Sequence, residues 1–463
     1  MHDLYRPPAP IPTSPVRALF GAALKMERDL LSLLPADAYT ARVAPLGYSR
    51  RSILIVNEPA EVAAVLANAS GLFPKNDLMV GALEELVGHS LFVSDGAAWK
   101  RQRRMIDPAF SHMRIDAAFS AMAGAVDDCE HRLDRTAADG GAVSLDAVMG
   151  QLTADIICRT IFSRSLDDSI AREVFEDFAV FERSVANVEL TRLLLGKPFA
   201  KVTQPRSVRE ACLRIREHLG RMLDERMART GLDDIAGALL AARDAETGLP
   251  FSREELIDQI GVFFLAGHET TASVLTWTFF ILTQQPDAMR RLRDELAATV
   301  GDEPVALDHT KRLAFARNVF REVLRLYPPI TFIPRVATEP TVIAGRPVKR
   351  GAMIMISPWT IHRNPTLWRD ADRFDPDRFG AKREGEAAGS YMPFGLGPRV
   401  CVGAAFAMVE SGLILARLTR RYDFEPLDAA AVRPVARLTT RPAHEIMCRV
   451  RAHSRADAGR PGA

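Results

Sequence analysis

The sequence predicts a mainly α-helical fold with small β-sheets, and three observations carry that expectation. Residues 115–235 are a succession of amphipathic segments with few strand signals. Ser252-x-x-Glu255 is a capping box that opens a largely apolar stretch ending at Gln285, before Pro286. That stretch makes a helix of ~33 residues, roughly 50 Å at 1.5 Å per residue. Short β-rich runs at 42–56 and 341–356 stand on either side of these helices.

Bulk numbers set the frame. With 463 residues, 48 % hydrophobic and 25 % charged, the chain can bury a large core. No linker or repeat divides it, so the expected organisation is a Pro-rich segment at 1–16, one domain over 17–453 and a disordered tail at 454–463. A net charge of +2 gives no electrostatic case for nucleic acid. The five cysteines lack paired or metal-site spacing, which argues against a disulfide framework or zinc cluster and for a reducing, cytoplasmic setting. The N-terminal run lacks the ~20 apolar residues of a membrane anchor. A soluble monomer is expected.

In chain order, residues 19–34 have helical spacing, and 42–47 and 52–56 read as two strands joined by a turn. Pro59 opens a helix over 60–67. Residues 73–92 carry mixed signals and read as a long irregular connection. The run Trp99-Lys100-Arg101-Gln102-Arg103-Arg104 places Trp99 and Arg103 on one helix face. Gly196, Pro198 and Pro205 break the helical pattern of 178–204, where Arg192 and Lys197 could bind a carboxylate.

The long helix contains Ala266-Gly267-His268-Glu269-Thr270-Thr271. His268 and Glu269 make a membrane span costly, and a buried central helix explains the pattern as well. An isolated threonine here simply bonds the carbonyl four residues back. Glu322-x-x-Arg325 is one helical turn, by itself a weak surface pair. Tyr327-Pro328-Pro329 stops that helix. Segments 341–343 and 352–356 read as a hairpin around Gly345-Arg346-Pro347. His362 reads as a hydrogen-bonding residue and not a metal ligand.

The stretch Phe394-Gly395-Leu396-Gly397-Pro398-Arg399-Val400-Cys401-Val402-Gly403 combines three glycines, a proline and an arginine around one cysteine. Helical pattern resumes after Gly403, so Cys401 sits just before a helix N-terminus. Unpaired amides, the helix dipole and Arg399 there favour a thiolate, the form that ligates metal.

Phe394-x-x-Gly397-x-Arg399-x-Cys401-x-Gly403, continued by Ala407 and Glu410, resembles the heme-binding loop of the cytochrome P-450 family. The resemblance runs from about residue 40 to 450 with its motifs in order, and it implies the cytochrome P-450 fold. It implies heme b (iron protoporphyrin IX) with Cys401 as the metal ligand, Phe394 beneath the cysteine and Gly403 beside it. Trp99, Arg103, Arg335 and Arg399 are then expected on the propionates. Ala266 and Gly267 make room for oxygen, and Glu269 with Thr270 supports proton delivery where the helix bulges. Leu91, Phe92, Phe263, Ala266, Ile330, Phe332 and Thr439 are the expected substrate pocket. Glu322, Arg325 and Arg378, the last in Phe374-Asp375-Pro376-Asp377-Arg378-Phe379, form a structural triad.

The implied activity is insertion of one oxygen atom from O2 into an apolar organic substrate. Electrons come from a separate ferredoxin-type donor and its reductase, docking near Lys100, Arg101 and Arg104. A heme-thiolate peroxygenase or isomerase and a non-catalytic heme sensor are the alternatives. The chain keeps the acid–alcohol pair that peroxygenases usually lack, and it shows no output domain for a sensor.

Overall fold

The structure, a computed structural model, describes residues 5–12, 14, 29–46, 52–185, 204–229, 231–380 and 389–453. Most of the helix expected over 19–34, the break at Gly196 and Pro198, Arg192, Lys197 and the tail from 454 lie outside the described residues.

The chain begins with the antiparallel strands β1 (Val43–Leu46) and β2 (Ile53–Val56). Next comes α1 (Pro59–Ala67), opened by Pro59 and closed by left-handed Asn68. The stretch expected to be irregular instead contains α2 (Asp77–Val87). Gly81 and the adjacent Glu84 and Glu85 blur its pattern in sequence, yet Leu83, Leu86 and Val87 at helical spacing are buried. The helices α3 (Gly96–Ile106), α4 (His112–Ala138), α5 (Leu145–Phe162), α6 (Ser169–Val185), α7 (Arg206–Met227) and α8 (Ile235–Ala241) follow, with β3 (Ala142–Ser144) before α5.

The central element is α9 (Arg253–Thr283). Its N-terminus is fixed as the sequence predicts: Ser252 Oγ accepts the Glu255 amide at 3.2 Å, and Glu255 Oε2 accepts the Ser252 amide at 2.8 Å. The helix is buried on nearly every side, which is why its pattern is apolar all round. Gly267 lets α5 approach it, since a Cβ there would lie 2.5 Å from Ile157 Cδ1. This corrects the expectation for Gly267: its open side faces a packed helix, so its smallness serves helix packing. The helix is also continuous α through 266–270, without the expected bulge.

Beyond α9 come α10 (Pro286–Thr299), α11 (Leu307–Arg312), α12 (Ala314–Leu326), the strands β4 (Ile333–Val336), β5 (Thr341–Ile343), β6 (Arg346–Val348) and β7 (Met353–Ile356), and the short α13 (Pro358–Ile361). The hairpin lies one strand earlier than expected. Ala344 and Gly345, both with positive φ, make a two-residue turn, so β5 pairs with β6. The apolar β7 instead sits inside the sheet β1-β2-β7-β4, parallel to β2. The chain ends with α14 (Ala404–Arg421), β8 (Tyr422–Pro426), β9 (Pro434–Ala436), β10 (Thr440–Pro442) and β11 (Met447–Ala452).

One polar cluster ties α12 to the segment before the cysteine loop. Arg325 makes two bonds of 2.8 Å to Glu322, and Arg378 Nε lies 3.4 Å from Glu322 Oε1, with all three side chains fully buried. Arg325 also donates to the carbonyls of His362, Ala371 and Arg373. A buried pair adds little over an apolar packing, but losing one partner strands the other charge. Glu322→Ala should therefore cost about 3–5 kcal/mol. Chemical denaturation of the folded protein checks this, and a loss below 1 kcal/mol would remove the triad as a brace.

Candidate active site

Three features of local chain geometry build the cysteine loop. Gly395 and Gly397 both have positive φ, and a Cβ on Gly397 would come within 3.2 Å of the Leu66 carbonyl of α1. The Cys401 amide donates to the Phe394 carbonyl at 2.9 Å and closes the loop. Helix α14 starts three residues later. Of the five cysteines Cys401 alone is exposed, and the other four are buried.

The charge around the sulfur differs from expectation. Although the side chain is exposed, desolvation by the surrounding protein raises the Cys401 thiol above its ordinary pKa, against the Gly403 amide and the charge of Arg103. Arg399 does not act on it, because its guanidinium turns to Asp95 and to the Ser94 carbonyl at 3.0 Å. Without a metal the loop favours the thiol, and a bound cation reverses that order.

The loop and α3 hold each other. Arg103 donates from Nη1 to the Val400 carbonyl at 2.6 Å and from Nε to Asp107 at 2.6 Å. Arg399 stacks 4.4 Å over the Trp99 ring. Two nitrogens of Arg103, expected on a propionate, are thus engaged with protein.

A surplus of positive charge gathers beside this clamp. Lys75 faces Arg335 across a β-bridge and lies 4.9 Å over the Phe92 ring. Burial and then the charges of Arg399 and Arg335 push Lys75 down to about 6, with Asp95 opposing. Burial and Arg399 lower Arg335 to about 10. Arg399 Nη1 is buried without a hydrogen-bond partner. Two arginines and a lysine pushed toward its neutral form, with one nearby acid, are the donor set that two propionate carboxylates would complete, so the residues present fit heme. Nothing in the local sequence of Lys75 marks it for this cluster.

On α9 the oxygen-activation residues point two ways. Ala266 is exposed and Thr270, one turn on, is half-buried, although the helix around them is buried. The Thr270 hydroxyl donates to the Ala266 carbonyl at 2.6 Å, the back-bond of an ordinary helical threonine. Glu269 points away, into a buried ion network. Arg441 bonds both of its carboxylate oxygens, one at 3.0 Å, and Thr439 donates to Oε1 at 2.6 Å. Arg441 also donates to Asp146 at 2.7 Å. Although burial alone would raise Glu269, the charge and hydrogen bonds of Arg441 hold it down at about 2.

Next to it, His268 Nδ1 donates to the Phe264 carbonyl at 2.7 Å, and Nε2 lies 3.1 Å from Glu182. The carboxylates of Glu182 and Glu269 raise His268 above its ordinary value despite its burial. Glu182, His268 and Glu269 converge within 4.8 Å, but the Arg441 guanidinium on Glu269 makes this an ion-pair cluster.

Arg441 pairs with Glu269, so that acid is held in an ion network. Thr439, expected in the pocket, is 2 % exposed and its hydroxyl is bound to Glu269. No local signal marks Arg441, whose partners Glu269 and Asp146 lie 172 and 295 residues away in sequence. Among the other pocket residues, Phe263 packs edge-on to Phe110 at 5.0 Å, and the Leu91 amide donates to Gln259 of α9 at 2.9 Å. Leu91, Phe92, Ile330 and Phe332 are half-buried. His362 is a hydrogen-bonding residue: Nδ1 lies 3.2 Å from the Arg325 carbonyl, and Nε2 accepts the Met392 amide at 3.0 Å.

Comparison with known proteins agrees with this geometry. The family model described as Cytochrome P-450 matches residues 36–448. Cyclooctatin synthase of Streptomyces melanosporofaciens is 33 % identical over 421 residues, covering 90 % of each chain. Cyclooctat-9-en-7-ol 5-monooxygenase of the same organism is 32 % identical over 404 residues, 86 % of this chain and 85 % of the relative. A cytokinin hydroxylase of Arabidopsis thaliana is 30 % identical over 402 residues, covering 85 % of this chain and 77 % of the relative. In fold, the crystal structure of the cytochrome P-450DA heme domain superposes with a TM-score of 0.82 at 24 % identity, over 99 % of this chain and 100 % of that one. With the cysteine loop, the cation cluster and the long helix in their places, this chain belongs to the cytochrome P-450 family and is an oxidoreductase that incorporates oxygen from O2.

Proposed function

We propose that the protein inserts one oxygen atom from O2 into an apolar organic substrate, with heme b ligated by Cys401 and electrons from a separate donor. The observation that carries this reading is one exposed cysteine on a glycine loop, clamped beside the unneutralised cluster of Lys75, Arg335 and Arg399. Heme, when bound, supplies the redox centre at which O2 is reduced.

The chain's own residues do the rest. Arg335, Arg399, Lys75 and Trp99 hold the propionates, while Arg103 braces the loop. Phe394 packs under the cysteine, and Gly403 leads from it into α14. Ala266 leaves space on the exposed face of α9. Leu91, Phe92, Phe263, Ile330 and Phe332 give the pocket an apolar lining that excludes water. Thr270 hydrogen-bonds oxygen after its hydroxyl swings off the Ala266 carbonyl. Glu269 passes protons only after Arg441 lets go.

The two Streptomyces relatives, by their names, act in cyclooctatin chemistry. That supports apolar ring compounds as the first to screen, cyclooctat-9-en-7-ol among them, by the low-spin to high-spin shift of the heme band. For the donor, Arg101 is bound to Glu255 at 2.5 Å and Arg104 to Glu246 at 2.7 Å. The docking surface first expected at Lys100, Arg101 and Arg104 thus retains Lys100 as its free cation among the described residues. We read the groove of about 350 Å³ between Arg317, Arg321, Phe394 and Met408 as the better seat for an acidic, ferredoxin-type donor.

No helix among the described residues is long and apolar enough to cross a membrane. The free thiols support a cytoplasmic setting.

Four outcomes test the reading. Cys401→Ser should abolish the strongly red-shifted Soret band of the reduced carbon-monoxide complex, while replacing any of the other cysteines leaves it. Retention of that band in Cys401→Ser would end the assignment.

Thr270→Ala should still consume reductant and O2 but divert most of it to hydrogen peroxide, read as product per reductant. Full coupling would shift that task to another group.

Arg441→Gln should change the acid–base behaviour of Glu269. In wild type the folded value of about 2 lies below the ordinary 4.5. The stability Glu269 contributes is therefore fully present above about 4.5 and lost as pH falls through about 2. Without Arg441 burial is left to raise this acid, so product per reductant should gain a pH dependence that the wild type lacks. A flat profile matching wild type would show that Arg441 does not control this acid.

Reversing the charge of Arg317 should slow reduction by an acidic donor about tenfold at low salt, with the gap closing as salt rises. Equal rates at every ionic strength would move the docking surface elsewhere.

A further inference from the structure

Two neighbouring side chains near the start of α9 hold a stretch of chain that none of the roles above explains. Residues 88–94 join α2 to α3 and carry Leu91 and Phe92. Their own backbone bonds are short turns, Ser90 to Val87, Val93 to Ser90 and Ser94 to Ser90, so side chains must fix the stretch on the body of the protein. The amides of His89 and Leu91 donate to Asp258 Oδ2 and Gln259 Oε1, each at 2.9 Å. From the other side Gln102 of α3 donates to the His89 carbonyl at 2.7 Å, and the Ser94 hydroxyl holds Gln102 at 2.6 Å. Gly88 permits this approach. It has a φ of +49°, and a Cβ on it would collide with the Asp258 carboxylate.

A second helix reaches the same carboxylate. Arg216 of α7 donates from Nη1 to Asp258 Oδ1 at 2.6 Å and to the Leu86 carbonyl, near the end of α2, at 3.1 Å. One aspartate thus takes a loop amide on one oxygen and a guanidinium of α7 on the other. Asp258 is 8 % exposed, so both bonds are charge-assisted and largely shielded from water, where they weigh most. The other contact of Arg216, to Glu254 at 3.4 Å, lies at the surface and adds little.

What the stretch presents gives the knot its consequence. Leu91 is bonded to Gln259, one turn before Phe263 on α9, and Phe92 lies under Lys75. We propose that Asp258 is a positioning residue that sets the wall formed by Leu91 and Phe92, and that Arg216 ties this wall to α7. The inference rests on reading Leu91 and Phe92 as pocket residues of a heme protein. While the knot is closed the wall has one place. Once Arg216 leaves Asp258, the turns of 88–94 alone do not define it, and a bulky ligand loses a preorganised surface.

Arg216→Gln in the holoenzyme tests this, since Arg216 touches neither wall residue and its half-buried ion pair is not needed for folding. Two heme ligands serve as probes, each read by its red shift of the Soret band. Imidazole needs only the iron, whereas the ring of 4-phenylimidazole must also fit the wall. The Kd of 4-phenylimidazole should rise roughly tenfold, the worth of one charge-assisted hydrogen bond, while that of imidazole stays within about twofold. Asp258→Asn keeps an acceptor for the His89 amide but not the charge facing Arg216, and it should match Arg216→Gln. Equal changes for both ligands, or none for either, overturn the positioning role. Hydrogen–deuterium exchange needs no ligand: peptides covering 88–92 should exchange about tenfold faster in both variants. Wild-type protection there overturns the proposal. If imidazole itself gives no shift, it is the heme reading that fails, and exchange alone decides the tie between Asp258 and the wall.

Discussion

The cysteine loop is held by two arginines reaching in opposite directions, and the rest of the site depends on that clamp. Arg103 reaches from α3 to the Val400 carbonyl, and Arg399 reaches from the loop back to Asp95 and Ser94. A ten-residue loop with three glycines has little conformational preference of its own and loses much entropy on ordering. Charge-assisted bonds to backbone carbonyls are strong enough to offset that loss without occupying the sulfur. The clamp also explains why the thiol is left to a metal: the arginine nearest in sequence is turned away from it.

Positive charge is distributed unevenly around this loop. On the side of Lys75, Arg335 and Arg399 it exceeds the available acid, and an anionic ligand would offset the arginines and favour the charged lysine. Along α9 the reverse holds, since Glu182, His268, Glu269, Arg441 and Asp146 alternate in sign and nearly cancel. The first arrangement is built to bind, and the second to stay put. Cofactor affinity and the charge state of the oxygen-side acid are thereby governed by separate groups of residues.

Much of this was legible in the sequence, for physical reasons. The capping box, the stop at Pro286 and the all-round apolar pattern define α9 because local hydrogen bonding and burial act within one segment. Spacing alone read Glu322-x-x-Arg325 as a surface pair, and only the family resemblance led to the buried cluster with Arg378. Lys75 and Arg441 escaped notice because their partners lie hundreds of residues away and nothing local signals the encounter. The β5–β6 hairpin was misplaced because its turn forms through Ala344, a residue rarely seen at positive φ. That Gly267 would admit a neighbouring helix was not legible, because a glycine's sequence position does not say which surface approaches it.

The buried imidazole of His362 joins two parts of the scaffold. Its Nδ1–H meets the Arg325 carbonyl, while Nε2 accepts the amide of Met392, two residues before Phe394. Accepting the Met392 amide requires the neutral ring, and burial with the nearby charge of Arg325 depresses its folded value to about 3 from 6.5. The unfolded chain therefore takes up a proton below about 6.5 that the folded chain refuses until about 3. Between those values acid lowers the stability of the fold as a whole, acting through a residue that never touches the sulfur.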